Sequence, residues 1–164
     1  MLPSLRYLPF RCPAILAHPK KTSMTTSGPT GLGAHSMESY ARQEAKQVSP
    51  AAERNKQPIL EVLQQHLPPA GLIVEVASGS GQHAAYFAAA LPGLTFLPTD
   101  YTKEGFESIA AYTAGLPNVL QPCLLDVTQQ AWPVPQEVNG IICTNMCHIS
   151  PFAATQGLFR GAGE

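Results

Sequence analysis

One stretch narrows the possible folds more than any other: Val74-Glu75-Val76-Ala77-Ser78-Gly79-Ser80-Gly81-Gln82-His83-Ala84. An apolar run with a single carboxylate drops into a turn with two glycines, and small helix-forming residues follow. Strand, glycine turn and helix in that order are how an α/β protein brings bare backbone up to a nucleotide-like ligand. Gly79 and Gly81 carry no Cβ, so the chain can turn sharply there and offer its N–H groups.

The rest of the folded part alternates in the same way. Pro58 can open a helix on which Ile59, Val62, Leu63 and Leu67 recur at helical spacing until Pro68-Pro69 stops it. Residues 72–77 read as a first strand, apolar on both faces as a central parallel strand should be. The helix after the glycines carries Ala84, Ala85, Phe87, Ala88 and Leu91 and closes at Pro92-Gly93. A second strand over 94–99 ends in Asp100, and residues 103–113 form a helix with Phe106, Ile109 and Ala110 expected inward. A third strand, 119–125, contains Pro122 and ends in Asp126; a fourth, 138–144, ends in Asn145; a helix over 152–162 follows. Strands alternating with helices predict an α/β, Rossmann-like, mostly parallel sheet of about four strands with right-handed crossovers.

At 164 residues the chain can hold one domain with a real core. Charged residues are only 13% and the net charge is −1, so no global field draws the chain to nucleic acid or an anionic membrane. No apolar run approaches the roughly 18 residues of a membrane span, so the chain reads as soluble. Cys123, Cys143 and Cys147 sit in or beside apolar segments and read as reduced thiols. Cys143, Cys147 and His148 form one short cluster without a second ligand pair, so no metal site is expected.

Residues 1–48 are different material. No acid precedes Glu38, while Arg6, Arg11, Lys20 and Lys21 are basic, and residues 22–36 are rich in Ser, Thr, Gly and Pro. Such a segment is either a disordered extension or a mitochondrial transit peptide, the second opposed by Pro3, Pro9, Pro13 and Pro19. The folded, ligand-binding domain is therefore expected over 49–164, in a cytoplasmic protein with mitochondrial import as the alternative.

In an open parallel sheet, ligands bind beyond the carboxyl ends of the strands. This chain puts polar groups there in succession: Ser78 to Gly81, Asp100, Asp126 and Asn145. Asp100 lies 19 positions past Gly81, the spacing at which an acid reaches a ribose diol; it could also be a turn aspartate. Asp126 would take an adenine amino group or cap its own loop. Glu75, between Val74 and Val76, must find a partner or raise its pKa, and a cationic amino acid moiety would serve; structural hydrogen bonds are the other reading. S-adenosylmethionine, with its cationic sulfonium and amino group, suits these carboxylates. The turn also fits the G-x-G-x-x-G/A dinucleotide pattern, but a hydride enzyme would need a substrate domain for which no residues remain.

Four strings carry a family resemblance: Ala51-Ala52-Glu53-Arg54-Asn55-Lys56-Gln57-Pro58-Ile59-Leu60, Glu75 through Ala84, Leu125-Asp126-Val127 and Asn145-Met146-Cys147-His148-Ile149-Ser150-Pro151. Over residues 49–163 the chain resembles the methyltransferase-like protein 26 family, seven-strand, S-adenosylmethionine-dependent methyltransferase-like proteins. The resemblance implies that Glu75, Ala77, Ser78, Gly79 and Gly81 line the methionine end of the cofactor, Asp100 the ribose and Asp126 the adenine. It places Asn145 and His148 at the methyl-transfer end, where His148 is either a general base or a packed, hydrogen-bonded histidine. Arg54 and Asn55 would fold over the pocket, or Arg54 would pair with a surface acid; His83 reads as structural. The acceptor would be a small molecule or protein of unknown identity. The family fold has three further strands beyond the fourth, so a shortened form with an exposed sheet edge is expected. The competing readings are a catalytically inactive fragment or interaction protein and, third, an NAD-dependent oxidoreductase.

Overall fold

The computed structural model describes residues 34–163. Residues 1–33, which carry Cys12 and most of the basic, acid-free leader, lie outside the described residues. Helices α1 (Ala34–Ala45) and α2 (Pro50–His66) lead into β1 (Gly71–Val76), α3 (Gln82–Ala90), β2 (Leu94–Asp100) and α4 (Phe106–Thr113). Then come β3 (Cys123–Leu124), β4 (Gly140–Cys143), α5 (Met146–Ile149) and α6 (Phe152–Gly161). Four parallel strands form one sheet in the order β3-β2-β1-β4.

The alternation of β1 side chains decides what each face packs against. Leu72, Val74 and Val76 join Leu97, Leu125, Val127, Met146 and α6 residues Ala154 and Leu158 on one face. Ile73 joins Phe96, Ile142, Leu60 of α2 and Phe87 of α3 on the other. Phe87, Phe96 and Ile73 are fully buried, and each stabilises the fold by roughly 2–3 kcal/mol relative to exposure. Among the described residues no helix is long and apolar enough to cross a membrane.

Several elements differ from expectation. Helix α2 starts at Pro50, not Pro58. Ser49 caps it by accepting the Ala52 N–H at 3.3 Å, and Pro50 occupies the first turn, where its missing N–H costs nothing. Pro58 sits mid-helix on its exposed face and cannot pair with the Arg54 carbonyl one turn back. Ordered backbone also begins upstream of Ser49: α1 packs on α4, Lys46 lies over the Tyr112 ring and the Gln47 N–H donates to Ser108 Oγ. On α4, Ala110 faces outward, and Ser108 and Ala111 are buried beside Ile109.

The third strand is far shorter than 119–125. It survives as a bridge from Val119 to Phe96 and as Cys123–Leu124. Phe96 and Asp100 both pair toward this neighbour, and between them stands Pro98, which has no N–H; Pro122 removes a second donor opposite. The four-residue helix α5 was not anticipated, since four residues carry too little periodicity to read.

Candidate functional site

With β2 and then β3 on one side of β1 and β4 on the other, the strand order reverses beside β1. The crevice at such a reversal of strand order is where open α/β sheets bind ligands. All the strand-end residues singled out from the sequence belong to this edge.

The turn after β1 is built from left-handed backbone. Ala77 has φ 57°, Gly79 54° and Gly81 84°. A positive φ on Ala77 costs about 1 kcal/mol or more, and strain of this kind clusters at ligand sites. The two glycines serve different ends. A Cβ at Gly79 would meet nothing within 4 Å, whereas one at Gly81 would stand 2.6 Å from the Ile109 Cα. Gly79 is thus open to a ligand, and Gly81 lets α4 press against the turn. Asp100 accepts the Gly79 N–H at 2.9 Å, so the second strand end is tied directly to the first. Ser78 serves the scaffold: its hydroxyl donates to the Glu75 carbonyl and accepts the Thr99 N–H, both at 3.2 Å. It is 7% exposed, which leaves its side chain little surface for a cofactor.

Glu75 lies beneath this turn, on the sheet face shared with Ile73, and is 2% exposed. Its Oε2 is buried without a hydrogen-bond partner. Burial pushes the carboxyl up to about 7; the Ser78 hydroxyl pulls the other way, and the Asp100 carboxylate adds to the rise. An acid in this state favours a cationic donor, which the described residues do not supply.

Asp126 accepts from Thr128 twice through Oδ1, from the N–H at 2.9 Å and the hydroxyl at 2.6 Å. These bonds hold its carboxyl below the usual carboxylate range. It does cap its loop, and it also lines a cavity of about 490 Å³ with Ala77, Tyr101, Val127, Met146 and Pro151. Helix α6 fixes this loop from behind. Gly157 allows the Val127 carbonyl to approach, and Arg160 donates to the carbonyls of Thr128 and Gln129 at 3.0 and 2.9 Å.

The structure therefore ties Gly79 to Asp100 and gathers Ala77 and Asp126 around one cavity, with Glu75 buried beside them and outside its lining. Asn145 precedes α5 next to cavity-lining Met146, while His148 is exposed and does not line the cavity. Asn55 does not cover the pocket: it hydrogen-bonds His83 Nε2 at 2.7 Å, behind α3. His83 is buried and stacks on Phe87 with ring centroids 5.3 Å apart, the structural part expected of it. Burial holds its pKa down, opposed by the charge of Glu53. Arg54 is exposed. Among the described residues no three metal-ligating side chains gather at a point.

Sequence reasoning missed Tyr101, Val127 and Met146. A signal existed: each directly follows one of the strand-end polar residues Asp100, Asp126 and Asn145.

A family model described as "Protein of unknown function (DUF938)" matches residues 46–164. Among solved structures, the chain is similar to the CurJ carbon methyltransferase (TM-score 0.55, 18% identity, 73% of this chain and 35% of that one). It is similar to YcgJ of Bacillus subtilis (TM-score 0.53, 18% identity, 66% and 46%) and to YjhP of E. coli (TM-score 0.53, 17% identity, 76% and 51%). The fold is the Rossmann-like α/β fold that these structures share. The chain spans about a third to a half of the length of these structures.

Proposed function

The chain belongs to the DUF938 family, described as protein of unknown function, and from that premise we propose that it binds S-adenosylmethionine and transfers its methyl group to an acceptor. The observation that carries this reading is the buried, unpartnered Glu75 Oε2 under a glycine turn at the reversal of strand order. A dinucleotide has no use for that carboxylate; an amino acid ammonium does. The narrower likeness to methyltransferase-like protein 26 belongs to the same proposal and is supported by residues 51–60 and 145–151.

Glu75 and the open face of the turn at Gly79 would hold the methionine end. Asp100 keeps one carboxylate oxygen for a ribose hydroxyl while the other accepts from Gly79. Asp126 and the apolar wall of Tyr101, Val127 and Met146 would hold the adenine. The bound cofactor supplies an electrophilic methyl on a sulfonium. The chain's own contribution is orientation and exclusion of water, with His148 taking the proton of the acceptor, a small molecule or a protein.

Calorimetric titration of the 164-residue chain tests this. S-adenosylmethionine and its demethylated product should bind at micromolar levels and raise the melting temperature. Silence at millimolar cofactor, or stabilisation by NAD instead, overturns it. Tyr101, 71% exposed at the rim of the cavity, should matter to binding more than to folding. Tyr101→Ala is expected to weaken the cofactor roughly tenfold with a melting temperature within about 2 °C of wild type.

A further inference from the structure

Behind the glycine turn runs a polar network that the proposed site does not use. The Gln47 N–H donates to Ser108 Oγ at 2.9 Å, and that hydroxyl donates to the Ser80 carbonyl at 2.7 Å. From the other side, Gln82 Oε1 accepts both the Ser49 N–H at 2.5 Å and the Ser80 hydroxyl at 3.0 Å, filling its two acceptor sites. Gln82 Nε2 donates to Glu53 Oε1 at 2.6 Å. Gln82 is 4% exposed and Ser108 1% exposed, so on their side each of these bonds is shielded from water. Ser80 is therefore gripped at its carbonyl and at its hydroxyl, and each grip leads back to residues 47–53.

We propose that residues 47–53 brace the glycine turn, with Gln82 and Ser108 as positioning residues that fix Ser80 and hence the backbone of Gly79 and Gly81. The inference rests on the cofactor reading for its functional consequence, though the brace itself can be tested without ligand. A turn with three consecutive odd-numbered positions at positive φ does not hold its shape through local preference. Its precision comes from bonds beyond the local preference: Asp100 on Gly79, Thr99 on Ser78, and the two hydrogen bonds of Ser80 with Gln82 and Ser108. Coupling is reciprocal: a cofactor that fixes the turn also protects the amides of residues 46–49. This assigns a task to part of the Glu53-Arg54-Asn55 string, which works from behind the pocket and not over it.

Two variants test the brace. Ser108→Ala deletes one grip, and Gln82→Met, nearly isosteric, deletes the other. Each should weaken S-adenosylmethionine about five- to tenfold, the worth of one or two buried hydrogen bonds. In the ligand-free protein, amide exchange should quicken at residues 79–81 and 47–49 while Ile73 and Phe96 change only with global stability. Glu53→Gln keeps an acceptor for Gln82 and should bind within about twofold of wild type. A purely structural role would lower protection everywhere and leave affinity intact in the folded fraction; that result overturns the proposal. So does unchanged exchange at residues 79–81 in both variants. Should wild type itself fail to bind S-adenosylmethionine, the cofactor reading falls, and the ligand-free exchange still decides the brace. If one variant does not fold, the other reports on the same residue Ser80.

Discussion

Glu75→Gln is expected to stabilise the ligand-free protein at pH 8 and, in the same molecule, to weaken S-adenosylmethionine by roughly 10- to 100-fold. The folded chain holds this carboxyl near 7 because of burial, against an ordinary value of 4.5. Between those values the folded form binds more protons than the unfolded one, so wild-type stability falls as pH rises. Above about pH 7 the full penalty applies, up to about 3 kcal/mol for a shift of this size. Below 4.5 both states are protonated and the penalty vanishes. The amide carries no such charge, so urea melts should separate variant from wild type at pH 8 and converge toward pH 4.5. Affinity should run the opposite way. Proton and cationic ligand compete for one carboxylate, so wild-type binding should weaken toward tenfold per unit below pH 7, and Glu75→Gln should bind weakly at all pH values. A variant less stable than wild type at pH 8 would mean that Glu75 has a structural partner after all.

Gly81→Ala and Gly79→Ala should fail in different ways although both remove a glycine from one turn. At Gly81 the new methyl meets the Ile109 Cα at 2.6 Å, a backbone atom that cannot step aside, and φ is 84°. Left-handed strain and overpacking together should cost roughly 2–5 kcal/mol, enough to lower the melting temperature steeply or prevent folding. At Gly79 the methyl has open space and only the strain of φ 54°, about 1–2 kcal/mol. That variant should fold, yet lose cofactor affinity by tenfold or more, because the methyl occupies room a ligand would use. Thermal melts with and without S-adenosylmethionine distinguish the two. Equal loss of stability in both variants would mean that the open face of Gly79 has no ligand to serve.

Much of the site was legible as a list and little of it as an arrangement. The strand-end acids and the glycine turn could be read because strand termini follow apolar runs and glycine marks special backbone. That Asp100 binds the Gly79 N–H was not legible, since the register in which β1 and β2 pair across the intervening helix is not stated by the sequence. Nor could Ser78 be told from a ligand-facing serine until Thr99 stood opposite it. Pro58 misled because a proline at a helix start and one inside a helix look alike in sequence; the Ser49 cap and packing of Leu60 decided the matter. The third strand misled because a loss of ladder bonds depends on two prolines facing each other across neighbouring strands.

By itself the sequence determined the class of fold and the sheet edge at which the candidate site lies. Periodicity of apolar residues selects strands and helices, and their alternation admits essentially one handed arrangement. Only the tertiary structure decided which carboxylate is buried without a partner, which glycine is open and which is covered, and which polar side chains hold the turn from behind. Those properties are set by neighbours distant along the chain, in contacts whose energies depend on burial and on ångström distances that local patterns do not encode.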